Sequence, residues 1–231
     1  MAAVAAVAVL SMTAVAIAQT QAPQPTSKIS VSPKKAGTKS NPKPVALGIF
    51  VENPAESKTT ASKIQIDLPK TLRVSGRGLK KCSLSVLAQS GTDDCPPKSI
   101  VGDGVAHAIF GPHAASPTLL TLDVTAVVGG PKNVYFYVTV GSIRGVLNAK
   151  VTNEGRRLTM SIPASLKKPD GVTYSALTDL DVDITRASRA VRSIGCSGGK
   201  HTVKVKLTYE ANPVPPPVTS ATATGSAKCS K

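Results

Sequence analysis

The sequence predicts an all-β protein, a sandwich or barrel of Ig-like or Greek-key type. Three observations carry this. Apolar residues recur at period 2 along most of the chain, and helical periodicity is hard to find. About a dozen such runs are separated by turn residues, the spacing of sandwiches and barrels. The 231 residues include 18 Gly, 18 Pro and 41% hydrophobic residues, but only 3% aromatics. That hydrophobic fraction excludes a disordered chain, and the lack of a glycine period or heptads excludes collagen and coiled coil. The length suits one domain with a sizeable core or two stacked sub-domains of about a hundred residues each.

Residues 1–18, MAAVAAVAVLSMTAVAIA, are small, apolar and uncharged, and end on Ala16-Ile17-Ala18. Such a segment predicts a secretory signal cleaved after Ala18. Residues 19–27 read as a flexible extension and 28–231 as the β domain. No later segment is long and apolar enough to span a membrane.

Within the domain, Lys28 to Ser32 alternates and Pro44 to Glu52 is an apolar run of β-formers. Lys63 to Leu68 alternates strictly and stops at Pro69. Cys82 to Leu87 alternates serine with apolar residues and is expected as a strand. Ile100 to Phe110 is a long strand in which Gly102 and Gly104 predict a bulge or bend. Thr118 to Val128 and Asn133 to Val140 flank a Gly-Gly-Pro-Lys hairpin loop. Val146 to Thr152 and Arg157 to Ile162 flank Asn153-Glu154-Gly155. Thr178 to Thr185, His201 to Tyr209 and Thr219 to Ala227 complete the strands. The Asn212 to Pro217 stretch between the last two reads as a proline-rich loop.

Four cysteines, Cys82, Cys95, Cys196 and Cys229, fit an oxidising compartment and two disulfides. Three connectivities exist. Nearest-neighbour pairing is favoured, because Cys82 and Cys95 would close a turn-rich loop and Cys196 and Cys229 would tie the last strand back. The spacings are not those of a zinc site, and no cofactor is expected.

Lys plus Arg is 28 against 13 Asp plus Glu, a net charge of +15. A basic exported protein is drawn to anionic surfaces. Nucleic acid is not expected as a partner, since stacking aromatics are nearly absent. Candidate contacts for an anionic surface are Lys80, Lys81, Arg186, Arg189, Arg192, Lys200, Lys204 and Lys206. Asp179, Asp181 and Asp183 alternate with Leu180, Val182 and Ile184, which puts three carboxylates on one strand face. They form a candidate calcium site. The blander expectation is a solvated face paired across strands with Lys204 and Lys206. Tyr135 and Tyr137 share a strand face and would serve a carbohydrate module if exposed. Gly195-Cys196-Ser197-Gly198-Gly199 matches the serine-hydrolase pattern. The segment that follows alternates as a strand, whereas a nucleophile elbow needs a helix there. No catalytic residue is assigned.

Cys95-Pro96-Pro97-Lys98-Ser99-Ile100-Val101-Gly102-Asp103-Gly104-Val105-Ala106 is distinctive. With Leu68-Pro69-Lys70 and Cys82 before it, and Gly195-Cys196 to Cys229 after, the chain resembles a group of exported actinobacterial proteins. These carry a "CP..S.VG.G.A" motif and paired cysteines. This sequence departs from the group in having Thr71 after Lys70, where glycine is frequent. The resemblance implies export and a disulfide-bonded β fold, and it brings no activity. The expected function is therefore non-enzymatic: a secreted or wall-associated protein that binds a cell-wall polymer or a surface protein. The alternatives are a calcium- or carbohydrate-binding module and, further off, a hydrolase.

Overall fold

A computed structural model describes residues 24–231. The expected signal segment, its cleavage after Ala18 and most of the 19–27 extension lie outside the described residues. The all-β expectation holds. Among the described residues, fourteen strands form two sheets. The larger sheet contains β1 (Thr26–Ser32), β3 (Ala46–Glu52), β4 (Thr60–Asp67), β6 (Ile100–Phe110), β7 (Thr118–Gly130) and β8 (Asn133–Val140). It continues with β9 (Ile143–Thr152), β10 (Arg157–Ser161), β11 (Ser175–Ile184), β13 (Lys200–Glu210) and β14 (Ser220–Lys228). Their order across the sheet is β1-β3-β11-β6-β7-β8-β9-β10-β4-β13-β14, with every pairing antiparallel.

The sheet curls until its two edges meet. Past the ends of β1 and β14 the chains bridge in parallel, with Ala36 N donating to Ser230 O and Ser230 N to Lys34 O, each at 2.9 Å. A Cβ on Gly225 of β14 would stand 3.0 Å from the Ser27 carbonyl of β1. A larger residue there would have to push the Ile29 side chain and the β1 backbone aside. β1 and β14 thus lie against each other, and edge strands covered in this way are shielded from pairing with other chains.

Alternation then sorts side chains to inside and outside. On β4, Ile64 and Ile66 point in and Lys63 points out. On β13, Val203, Val205 and Leu207 point in while Lys204 and Lys206 point out. One apolar cluster joins residues from all eleven strands of this sheet. A small sheet, β2 (Lys43–Pro44), β12 (Val191–Ser193) and β5 (Leu72–Val74), contributes the fully buried Leu72 and Val191 to the same cluster. These three short strands were not anticipated, because two or three residues carry no legible period.

The Cys82–Leu87 segment is a correction. It is not a strand but opens helix α1 (Leu84–Ser90), capped by Ser83 Oγ, which accepts from Val86 N at 3.2 Å. Gly91, with φ +69°, ends the helix. A serine cap and a stop glycine are helix signals, and serine–apolar alternation over six residues masked them. The second helix, α2 (Ala164–Lys167), is a single turn between β10 and β11.

The disulfides are Cys82–Cys95 and Cys196–Cys229. The first loop carries α1 and lies on the outer side of β7 and β8. There Leu87, Cys82 and Cys95 pack with Val127, Tyr135 and Tyr137 into a second, smaller core. Tyr135 and Tyr137 are both buried beneath it, so neither offers an exposed stacking platform.

Candidate functional site

The end of the barrel where β6 begins and β11 ends carries a groove of about 780 Å³. Three loops build it. The loop Gly78–Lys80 forms one wall; Leu79 N donates to Gly76 O at 3.2 Å, and Gly78 takes φ +76°. The 3-10 turn Pro97–Ser99 forms the second and is closed by Ser99 Oγ donating to Pro96 O at 2.7 Å. The 3-10 turn Arg186–Ser188 forms the third. Its Ser188 Oγ donates to Thr185 O at 2.6 Å, and Arg189 leaves it in the left-handed conformation with φ +60°. The second and third turns are brought together by β6–β11 pairing, continued by Thr185 N donating to Val101 O at 2.9 Å.

Lys80, Lys98 and Arg189 line the groove, and no carboxylate does. Among the described residues none of these three is ion-paired. Thr185 and Ser188 add hydroxyls, and Ile100 adds an exposed apolar side chain. Three cations in a concave, carboxylate-free surface concentrate positive potential there. Chemically the site can hold an extended anion and offer it charge-assisted hydrogen bonds.

Of the eight cations singled out from sequence, Lys80 and Arg189 meet in this groove. Lys81 adjoins Lys80 in the chain, and Arg186 lies on the same turn as Ser188, but neither lines it. Arg192 sits on the small sheet directly opposite Arg73. Burial, and after it the charge of Arg156, holds the Arg73 guanidinium below its usual value, against the opposing pull of Glu154 at 3.8 Å. Lys200 faces Lys228 across β13–β14, Lys204 faces Asp67 and Lys206 faces Gln65. Lys98 was missed. It stands inside the cysteine–proline motif, and only the pairing of β6 with β11 carries it to Arg189.

The Asp179, Asp181 and Asp183 face is also corrected. It does not meet Lys204 and Lys206, because β11 lies between β3 and β6 and β13 lies far round the barrel. The register adds Glu52, Asp103 and Asp123 to the same outer face. Burial, followed by the charges of Asp183 and Asp179, raises the Asp181 carboxyl above its ordinary value. Asp179 Oδ1 takes His107 Nδ1 at 2.7 Å. Among the described residues no three His, Cys, Asp or Glu side chains are placed to share a metal ion. The carboxylates spread along the strands rather than converge.

Ser197 is exposed in the turn before β13, so a strand follows it where a hydrolase elbow has a helix. The nearby His201 is buried and hydrogen-bonded through Nδ1 to Thr71 Oγ1 at 2.8 Å. Burial lowers its imidazole below the ordinary histidine value.

No family model matches the chain, and no curated relative matches it. Among solved structures it is similar to the collagen-binding domain of Erysipelothrix rhusiopathiae surface protein RspB, at 9% identity and a TM-score of 0.29. The alignment covers 90% of this chain and 49% of that one, so this chain spans about half of that structure's length. The compartment rests on the chain's own chemistry: two disulfides and no free cysteine among the described residues are the pattern of an extracellular protein. No helix among the described residues is long and apolar enough to cross a membrane.

Proposed function

We propose that this protein is a non-enzymatic component of the cell envelope that holds an anionic surface polymer in the groove between Lys80, Lys98 and Arg189. The observation that carries the reading is the convergence of three unpaired cations, from three separate loops, on a concave surface without a carboxylate. Scattered surface lysines would serve solubility equally well. Turns that aim three cations at one groove serve recognition. Thr185, Ser188 and Ile100 fit a polymer with hydroxyls and apolar ring faces between its charges.

The test is co-sedimentation with purified cell walls, and binding to dextran sulfate with neutral dextran as control, across a salt series. The expected result is binding that weakens steeply between low and high salt, as screening demands. Lys80→Glu, Lys98→Glu and Arg189→Glu together should lower affinity at least tenfold. Reversing Lys200, Lys204 and Lys206 should change it less than twofold. Equal losses from the two triple variants would reduce the effect to net charge and sink the proposal.

A further inference from the structure

The three walls of the groove are joined to one another at their roots. Ser75 N, at the foot of the first wall, donates to Ala190 O at 2.9 Å, next to Arg189 on the third. The β5–β12 pairing continues that tie. The bond from Thr185 N to Val101 O ties the third wall to the second. Between the first wall and the second the tie is covalent. Lys80 stands just before Cys82 and Lys98 just after Cys95, and the Cα atoms of the two bonded cysteines are 5.2 Å apart. Among the described residues no hydrogen bond joins residues 76–81 to residues 96–100.

That bond matters because little else holds Lys80. Residues 75–83 form no strand or helix. The bond from Leu79 N to Gly76 O is internal to the loop, and Leu79 packs half-buried on the main core. From there the exposed Lys80 and Lys81 run to Cys82, which is buried and donates through its N to Val128 O at 2.9 Å. At chain reach, the Cα of Lys80 lies within about 7 Å of Cys82 and that of Lys98 within about 11 Å of Cys95. Without the bond, the chain path between the two lysines runs through α1 and reaches roughly 60 Å when extended. Lys98 and Arg189 do not share this dependence, since Lys98 lies directly before β6 and Arg189 directly before β12.

We propose that the Cys82–Cys95 disulfide is a positioning element of the anion site: it keeps Lys80 in one groove with Lys98, and so raises affinity for a polyanion without supplying any charge. The inference rests on the groove as the binding site. Preorganisation is the physical reason. A lysine already held in place loses less freedom on binding, and two cations held together meet one stretch of the polymer at once.

The experiment measures dextran sulfate affinity at low salt in Cys82→Ala/Cys95→Ala and in Cys196→Ala/Cys229→Ala, neither of which changes the net charge. The first should weaken binding about 2- to 5-fold, the scale of one exposed charge contact, and Lys80→Gln in the wild type should weaken it equally. The second should leave affinity unchanged, although its bond closes the longer loop. A role in stability alone would reverse that order. Added to Cys82→Ala/Cys95→Ala, Lys80→Gln should cost nothing further, because residues that act as a unit are not additive, whereas Lys98→Gln should keep its full effect. A second measurement needs neither variant nor ligand, so a variant that failed to fold would not blunt the test. In the unmodified protein the 15N order parameter of the Lys80 amide should be that of rigid backbone, about 0.85. Unchanged affinity in Cys82→Ala/Cys95→Ala, a further loss from Lys80→Gln in that background, or a Lys80 order parameter below about 0.6 overturns the proposal and leaves the groove reading standing. A wild type that does not bind dextran sulfate at all removes the groove reading, and this inference with it.

Discussion

Removal of the Cys196–Cys229 disulfide should open the barrel at its seam. The bond closes a loop of 33 residues that contains all of β13 and β14. The chain-entropy relation gives about 3.7 kcal/mol for a loop of that length, against about 2.9 kcal/mol for the 13-residue loop of Cys82–Cys95. Both cysteines of the longer loop are only half-buried, so replacing them with alanine adds little cavity cost. At an m-value near 3 kcal/mol/M, the urea midpoint of Cys196→Ala/Cys229→Ala should fall by about 1.2 M. The loss should also be local. Cys229 N donates to Gly199 O, and the next residue makes the parallel bridge that joins β14 to the chain after β1. Hydrogen exchange should therefore quicken first at the amides of Ala36, Cys229 and Ser230, ahead of the β6–β7–β8 amides. Cys82→Ala/Cys95→Ala should instead free α1 and expose Tyr135 and Tyr137 to quenchers, leaving the seam protected. A midpoint shift under about 0.3 M, or uniform exchange across the sheet, would refute the view that this bond locks the closure.

Two further predictions concern titration. The buried His201 has a lowered folded value, so the unfolded chain binds its proton first as pH falls. The stability of the neutral ring is fully present above the unfolded value and is lost as pH drops from about 6.5 through the folded value. Melting temperature should fall between pH 7.5 and 5.5 in the wild type, and that slope should flatten in His201→Asn. Asp181 has a raised value, so its charge opposes folding at neutral pH and the penalty vanishes as pH falls through that value. Asp181→Asn should gain a few tenths of a kcal/mol at pH 7, the scale of an exposed like-charge cluster, and gain nothing near pH 3; an unchanged melting temperature at pH 7 would count against it.

The strands from Ile100 to Thr152 were legible because each is long, rich in β-formers and bounded by Gly, Pro or Asn turns. A hairpin meander keeps neighbours in sequence adjacent in space, so local signals suffice there. The β3–β11–β6 and β4–β13 pairings were not legible. They join segments more than sixty residues apart, and alternation says which face is buried without saying which strand lies alongside. That is why the aspartate face was matched with the wrong lysines. The same limit hid the groove. Lys80, Lys98 and Arg189 belong to three loops, and two long-range pairings make them one site: β6 with β11 for Lys98 and Arg189, and β5 with β12 for the loop of Lys80.

The placement of charge around the groove gives it a direction. On one side, Asp103 and Asp183 stand opposite each other on β6 and β11, three residues past Ile100 and two before Thr185. On the other side the chain runs from Arg189 to Arg192 in three residues, at most about 10 Å. Arg192 pairs with Arg73, and Arg156 adds its charge to Arg73. Glu154, with a side chain 79% exposed, opposes them. A polyanion seated in the groove is therefore repelled from the aspartate face and drawn over the small sheet. A chain long enough to leave the groove should feel Arg192, and one that only fills the groove should not. Arg192→Glu should then weaken a long dextran sulfate about 2- to 5-fold at low salt, the scale of an exposed charge. It should leave a short sulfated oligosaccharide unchanged. Equal weakening of both would mean that Arg192 acts through net charge, and the track across the small sheet would have to be abandoned.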